Sequence, residues 1–92
     1  MLFEWDETKN QSNIEKHGLS FEFAKLVFDD DVITFEDNRY AYGEKRYITY
    51  GLLVNRLVVI VHTWRDEHVR IISMRKGNKR EQDEFERSIG KT

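Results

Sequence analysis

Polar and hydrophobic positions along the first third of the chain follow a helical spacing. Asp6 precedes a polar segment that ends at Gly18, and Ser20 precedes a more apolar segment. Asp and Ser are favoured N-caps, and Gly is favoured just after a helix C-terminus. The pattern therefore predicts a helix over residues 7–17 and a second helix over residues 21–28.

The first predicted helix presents an unusual polar row. Trp5, Lys9, Asn13 and His17 recur every four residues, so their side chains form one slowly drifting row. Ile14 is the lone aliphatic residue between Lys9 and Gly18. We expect this helix to pack lightly, and the polar row requires a structural reason.

The middle of the chain alternates between apolar runs and short polar turns. Strands are predicted over residues 32–36, 45–53, 57–64 and 68–74. The near-continuous apolar run of the third strand favours a central position, and the short connections favour an antiparallel meander. A charged helix over residues 76–89 follows, with Phe85 and Ile89 as its docking residues.

The predicted fold is a single α+β domain over residues 1–92. Its order is α-α-β-β-β-β-α, with two N-terminal helices, a four-stranded antiparallel sheet and a C-terminal helix. The helices are expected to pack on one face of the sheet.

Composition narrows the functional classes. The formal net charge is −2, so any nucleic-acid role must depend on a local basic patch. The chain has no Cys, no apolar stretch of membrane-spanning length and no signal-peptide pattern at its N-terminus. We expect a cytoplasmic protein with no membrane association.

Candidate chemistry is limited to two options, because the common nucleotide-binding, nucleophile and metal motifs are missing. The weaker option is a metal site at the acidic run 29–31 with His17 as a further ligand. The stronger option is cleavage of RNA without metal or cofactor, with the 2′-hydroxyl as nucleophile. That reaction needs a base, an acid and cations at the phosphate. The chain offers suitable cations, a histidine and carboxylates: Lys45, Arg46, Arg70, Arg75, His17, Glu44 and Glu81.

Strand geometry restricts how two of these cations combine. Arg70 and Arg75 point to opposite faces of a regular strand. They share a site only if the strand ends or bulges near Ser73. The alternative is that both arginines are solvated or paired with nearby carboxylates.

Several signatures occur in order along nearly the whole chain. They are Phe3-Glu4-Trp5-Asp6 with Lys9 and Asn13, Lys16-His17-Gly18, Phe21, Ala24, Phe28-Asp29, Arg46, Gly51, Thr63, Arg70-Ile71-Ile72-Ser73 with Arg75 and Lys76, and Glu81. Together they resemble the BrnT family of bacterial toxins. The resemblance implies a ribonuclease with a RelE-like fold, the toxin half of a type II toxin–antitoxin pair. It also implies a BrnA antitoxin that binds the toxin tightly and carries the DNA contacts of the complex.

The resemblance also suggests roles for individual residues. Arg46, Arg70 and Arg75 are expected to contact the phosphate and the transition state, with His17 and Glu81 as candidates for proton transfer. Lys9, Lys16 and Lys45 are the candidate RNA-binding residues.

Departures from the family pattern leave a second function open. The family pattern has Ala where this chain has Gly77, Arg where it has Gln82, and Tyr where it has Phe85. An inactive module that only binds a protein partner is therefore the alternative function.

Exposed aromatic residues are candidate anchors for the antitoxin. They are Tyr40, Tyr42 and Trp64. The alternative is that these side chains fold back over a thin core.

Overall fold

The computed structural model describes residues 1–90, so the last two residues of the predicted 1–92 domain lie outside the described residues. The elements are β1 (Leu2–Trp5), α1 (Glu7–His17), a 3₁₀ turn (Phe21–Phe23), α2 (Ala24–Phe28), β2 (Val32–Asp37), β3 (Arg46–Leu53), β4 (Arg56–Arg65), β5 (His68–Lys76) and α3 (Lys79–Ser88). The five strands form one mixed sheet in the order β1-β5-β4-β3-β2. The described part of the chain is therefore an α+β fold.

The strand β1 shows that the predicted α-α-β-β-β-β-α order and four-stranded antiparallel sheet are wrong. β1 pairs in parallel with β5, with Phe3 opposite Val69 and Trp5 opposite Ile71. It has only four residues and leads directly into the cap of α1 at Asp6. The two strands of a parallel pair lie far apart in sequence, so no short turn between them indicates the pairing.

The other four strands form the predicted antiparallel meander. β4 lies in the middle of the sheet, as its apolar run predicted. The turn between β3 and β4 places Val54 and Asn55 at positive φ, the geometry that matches the twist of a two-residue hairpin.

Helices cover both faces of the sheet, so the expectation that they share one face is wrong. Val58 and Ile60 of β4 pack with residues from α2 and the 3₁₀ turn, on what we call the covered face. Val59, between them, packs with Tyr50 and with Phe85 of α3 on the opposite side, which we call the open face. Alternation along β4 thus divides the core into two clusters.

Two buried asparagines explain much of the polar character of α1. Asn13 donates to the carbonyls of Leu19 and Met74 and accepts from the Met74 N–H, at 2.9, 2.9 and 3.2 Å. Asn10 accepts from the Phe21 N–H at 2.8 Å. These amides connect α1 to β5 and to the 3₁₀ turn, because they satisfy backbone groups that would otherwise be buried without partners.

The third helix begins later than predicted. Asn78 caps it in a capping box with Glu81, and β5 continues to Lys76. Gly77 therefore lies outside the helix, where a Cβ would overlap the side chain of Leu57. A close approach between the backbone and the side chain of Leu57 therefore explains this glycine.

Candidate RNA-cleavage site

A β-bulge interrupts the pairing of β4 with β5. Val61 lies opposite Ser73, but the next residue of β4, His62, lies opposite Ile71. Ile72 is therefore the extra residue of β5 and has no partner in the register. The bulge lies next to Ser73, where the sequence required an irregularity if the two arginines were to share a site.

The bulge places Arg70 and Arg75 on the same face. Arg70 lies opposite Thr63, and Arg75 lies opposite Val59. Thr63 and Val59 are four residues apart on β4, so their side chains point the same way, and Val59 belongs to the open face. Both arginines consequently lie on the open face.

A polar cavity of about 110 Å³ lies at one end of the open face, and we call it the arginine cavity. Its lining residues are Asp6, Lys9, Glu44, Arg46, Thr63, Arg65, Arg70, Ile71 and Ile72. Four of them are cations and two are carboxylates. The cavity has space for a group of a few heavy atoms, and its charge favours an anion such as phosphate.

Arg70 is held in place by a carboxylate from β1. Its Nη1 donates to Glu4 Oε2 at 2.6 Å, and His68 Nδ1 lies 2.8 Å from Glu4 Oε1. Hydrogen bonds from His68 and Arg70 lower the pKa of Glu4. A guanidinium has five N–H donors, so this contact leaves Arg70 with donors for a ligand. The unpredicted strand β1 thus orients one of the predicted site residues.

Arg46 is oriented by the loop between β2 and β3. Its guanidinium carbon lies 4.1 Å from the ring centre of Tyr42. The Tyr42 hydroxyl donates to Asp37 at 2.9 Å, and Asp37 also accepts two side-chain hydrogen bonds from Arg39. Arg46 Nε is buried without a hydrogen-bond partner among residues 1–90 and lies 3.9 Å from Glu44. The loop therefore fixes a cation that still has an unused donor.

A second pocket lies beside the arginine cavity on the open face, and we call it the aromatic pocket. It measures about 390 Å³, and its lining residues are Phe35, Arg39, Ile48, Tyr50, Arg75, Arg80, Glu81 and Glu84. Ile48 is two residues beyond Arg46 on β3, so these two lining residues lie about 7 Å apart along the strand.

Arg75 and Glu81 form a two-pronged ion pair in the aromatic pocket. Arg75 Nη1 and Nη2 donate to the two carboxylate oxygens of Glu81 at 2.9 and 2.7 Å. The contact with Arg75 lowers the pKa of Glu81 to about 2. Glu81 is 4% exposed, whereas the side chain of Arg75 keeps 42% exposure. Glu81 thus remains ionised at neutral pH and holds Arg75 at the surface.

The structure brings together some of the predicted site residues and separates others. Arg46, Arg70 and Lys9 line the arginine cavity, whereas Arg75 and Glu81 line the aromatic pocket. His17, Lys16 and Lys45 belong to neither lining. His17 and Lys16 lie in the last turn of α1, a helix that Asn13 connects to Met74 of β5. Lys45 precedes β3, where its carbonyl accepts a 2.6 Å hydrogen bond from Thr63.

Arg65 is a cavity residue that the sequence analysis missed. The third predicted strand ends at Trp64, but β4 extends to Arg65. Alternation from Val61 through Thr63 places Arg65 on the open face, and its guanidinium lies 3.6 Å from Glu44. The period-two pattern of this strand continues to Arg65, but the predicted strand ends one residue earlier.

The alternative metal site receives no geometric support among residues 1–90. No group of three His, Asp or Glu side chains in this range is placed to hold a metal ion. Asp29 ends α2, and Asp30 accepts a hydrogen bond from the Asp31 N–H. The acidic run therefore terminates a helix. No helix in the same range is long and apolar enough to cross a membrane.

The fold and the site together describe a small α+β protein with a cluster of cations suited to a phosphate. Comparison with protein families identifies a match over residues 5–81 to the ribonuclease toxin BrnT of type II toxin–antitoxin systems. This range includes the arginine cavity, Arg75 and Glu81. The chain therefore belongs to the BrnT family of ribonuclease toxins. No curated protein matches the chain.

Proposed function

We propose that the protein is an endoribonuclease toxin that cleaves RNA without a metal ion and thereby inhibits translation and growth. The observation that carries this proposal is the arginine cavity, where Arg46 and Arg70 converge with Lys9 and Arg65. A phosphodiester bound there meets several guanidinium groups, which stabilise the charge that develops on the phosphate oxygens.

The reaction uses the RNA itself as nucleophile. The 2′-oxygen attacks the adjacent phosphorus while the bond from phosphorus to the 5′-oxygen breaks. The products are a 2′,3′-cyclic phosphate and a free 5′-hydroxyl. A base takes the proton from the 2′-hydroxyl, and an acid supplies one to the departing 5′-oxygen. No cofactor takes part.

Carboxylates at the arginine cavity are well placed for the proton acceptor. Asp6 and Glu44 both line it, together with the cations that would bind the phosphate. Of these two, Glu44 lies within 4 Å of both Arg46 and Arg65. The position of His17 outside both pocket linings favours a structural role at the end of α1 over the predicted role in proton transfer.

The role of Glu81 follows from its contact with Arg75. A carboxylate with a pKa of about 2 is a weak base and is not protonated at neutral pH, so it is poorly suited to proton transfer. Glu81 instead positions Arg75, which extends the basic surface beyond the arginine cavity. In this proposal Arg75 contacts the RNA on the open face outside the arginine cavity, whereas the sequence predicted a contact with the phosphate and the transition state.

Membership of a type II family implies an antitoxin partner. The partner in our proposal is a BrnA-like protein that neutralises the toxin in the cytoplasm and supplies all DNA contacts. Tyr40 and Trp64 are 69% and 47% exposed and remain candidate anchors for it. Tyr42 is less available, because it packs against Arg46 and hydrogen-bonds Asp37.

A binding module without activity is the second candidate function. One observation favours it: Arg70 and Arg75 are both ion-paired, as the alternative interpretation of the sequence expected. The departures that motivated it now have structural explanations at two positions. Gly77 makes room for Leu57, and Phe85 is buried in the open-face core at 1% exposure.

Induced expression tests the proposed function. Growth and total RNA integrity are measured in cells that express the wild-type protein. The measurement is made with and without co-expression of the neighbouring gene, which is the candidate gene for the antitoxin. Arg70→Ala is the test variant and Arg56→Ala is the control, since Arg56 is exposed at the start of β4 and lines neither pocket. The toxin is supported if growth arrest and RNA loss occur with wild-type protein and are relieved both by the product of the neighbouring gene and by Arg70→Ala. Normal growth with intact RNA and folded protein would favour the binding module.

A further inference from the structure

The floor of the aromatic pocket includes an exposed aromatic ring. Phe35 lies on the edge strand β2 and is 42% exposed. Its ring contacts Tyr50 edge-on, with centroids 5.2 Å apart and planes at 87°. Ile48 lies opposite Phe35 on β3 and completes an apolar floor. The floor is exposed because α3 covers only the part of the open face around Tyr50, Leu57 and Val59.

The rim of the aromatic pocket is charged. Arg39, Arg75 and Arg80 contribute three cations, and Glu81 and Glu84 contribute two carboxylates. All three cations are ion-paired, Arg75 and Arg80 with these two carboxylates at 2.7 and 2.6 Å and Arg39 with Asp37 at 2.8 Å, so each guanidinium offers a ligand only its remaining N–H donors. A pocket with an apolar floor and guanidinium groups at its rim suits a flat ring attached to a negatively charged chain.

The aromatic pocket and the arginine cavity are neighbours along β3, although they share no lining residue. Arg46 borders the arginine cavity and Ile48 borders the aromatic pocket, so the separation along β3 is about 7 Å. Both lie on the open face, where the bulge at Ile72 also places Arg70 and Arg75. A strand of RNA whose phosphate occupies the first pocket therefore has a base within reach of the second.

We propose that the aromatic pocket is a nucleobase subsite for single-stranded RNA, with Phe35 as its stacking surface. Base stacking on an aromatic side chain tolerates any sequence, because every base has a π-face. Pocket shape and the rim arginines then set which base is preferred next to the scissile phosphate. This inference rests on the proposed ribonuclease function and identifies a specificity determinant for it.

Equilibrium binding to an uncleavable RNA tests the subsite. The probe is a fluorescent single-stranded 2′-O-methyl oligonucleotide, which lacks the nucleophilic hydroxyl. Phe35→Ala should bind this oligonucleotide about tenfold more weakly than wild-type protein does, because one base loses its stacking contact. Phe23→Ala is the matched control, because Phe23 has a similar exposure of 45% but belongs to the 3₁₀ turn on the covered face. Phe35→Trp should restore binding.

Salt dependence separates stacking from charge. The slope of log Kd against log salt concentration should be unchanged in Phe35→Ala, because no phosphate contact is lost. The slope should become shallower in Arg70→Ala. A Phe35→Ala variant with a changed slope, or with the affinity of wild-type protein, would overturn the subsite.

An abasic scan tests the subsite with wild-type protein alone, independently of whether Phe35→Ala folds. In the shortest oligonucleotide that binds, which leaves no room for a shift in register, removing one base at a time should weaken binding at a defined position, and uniform affinities along the scan would overturn the proposal. Wild-type protein that binds no oligonucleotide at all would instead contradict the ribonuclease function itself. If Phe35→Ala lost the protein partner but kept its RNA affinity, the pocket would be a protein-binding surface and the subsite would be wrong.

Discussion

Buried His62 is expected to make the fold sensitive to mild acid. This β4 residue is 1% exposed and packs between Phe28 and Tyr47, with ring centroids 5.2 and 5.9 Å away. Its Nε2 lies 2.7 Å from Thr49 Oγ1, and its Nδ1 has no partner among residues 1–90. Burial lowers the pKa of His62 from 6.5 to about 4. The folded protein therefore favours the neutral ring.

The size of the effect follows from proton linkage. Because the folded pKa lies below the unfolded value, only the unfolded chain gains a proton as the pH falls below 6.5. The difference between 6.5 and 4 corresponds to about 3 kcal/mol of unfolding free energy, of which about 2 kcal/mol is lost between pH 7 and pH 5. Glu81 adds little in this window. Its folded pKa is lowered to about 2, so its stabilisation is present above pH 4.5 and is lost as the pH falls through 2.

Urea denaturation at pH 7, 6 and 5 measures the effect, with His62→Gln as the comparison. The glutamine keeps a polar partner for Thr49 but does not titrate. Wild-type protein should lose about 2 kcal/mol between pH 7 and pH 5, whereas the variant should change little in the same range. His17 and His68 are present in both proteins, so the comparison isolates the effect of His62. An equal loss of stability in wild-type protein and variant would show that His62 is not the cause of the acid sensitivity.

Three further changes test other parts of the structure. Tyr42→Ala should slow RNA cleavage because it releases the guanidinium of Arg46, whereas Tyr42→Phe should preserve more of the rate. If Tyr42→Ala slowed cleavage equally in wild-type protein and in an Arg46→Ala background, Tyr42 would not act through Arg46. Glu81→Gln should lower the unfolding free energy by about 1–3 kcal/mol in urea, because it weakens a charged pair and the cap of α3; unchanged stability would argue against this role. Phe85→Ala should lower the unfolding free energy by about 3–5 kcal/mol in the same measurement, because it leaves a cavity where α3 packs against the sheet. Arg87→Lys, its surface control, should stay within about 0.5 kcal/mol.

Local signals allowed most helix ends and the meander to be predicted from the sequence. Asp6 accepts a hydrogen bond from the Lys9 N–H, Ser20 accepts one from the Glu22 N–H, and Gly18 adopts φ 69° after α1. Each of these features depends on residues only a few positions apart. Capping and turn chemistry can therefore be predicted without knowledge of the tertiary structure.

Features that depend on distant partners could not be predicted in the same way. The strand β1 forms only because β5 offers an edge, and the bulge at Ile72 appears only in the register between two strands. Both affect the site: β1 supplies Glu4 to Arg70, and the bulge places Arg75 on the same face. The residue types of the site were thus predictable, but their assembly into two neighbouring pockets was not.

The proposed ribonuclease should cleave RNA as purified protein, without any other component. The substrate is a single-stranded RNA in a buffer with a metal chelator, compared with the same sequence carrying a 2′-deoxy residue at the cut. We expect cleavage of the RNA but not of the 2′-deoxy substrate, with a 2′,3′-cyclic phosphate at the new end. The rate should fall about 100-fold or more in Arg46→Ala and Arg70→Ala but not in Arg56→Ala. Intact RNA, or cleavage that persists unchanged in both cavity variants, would contradict the proposed function.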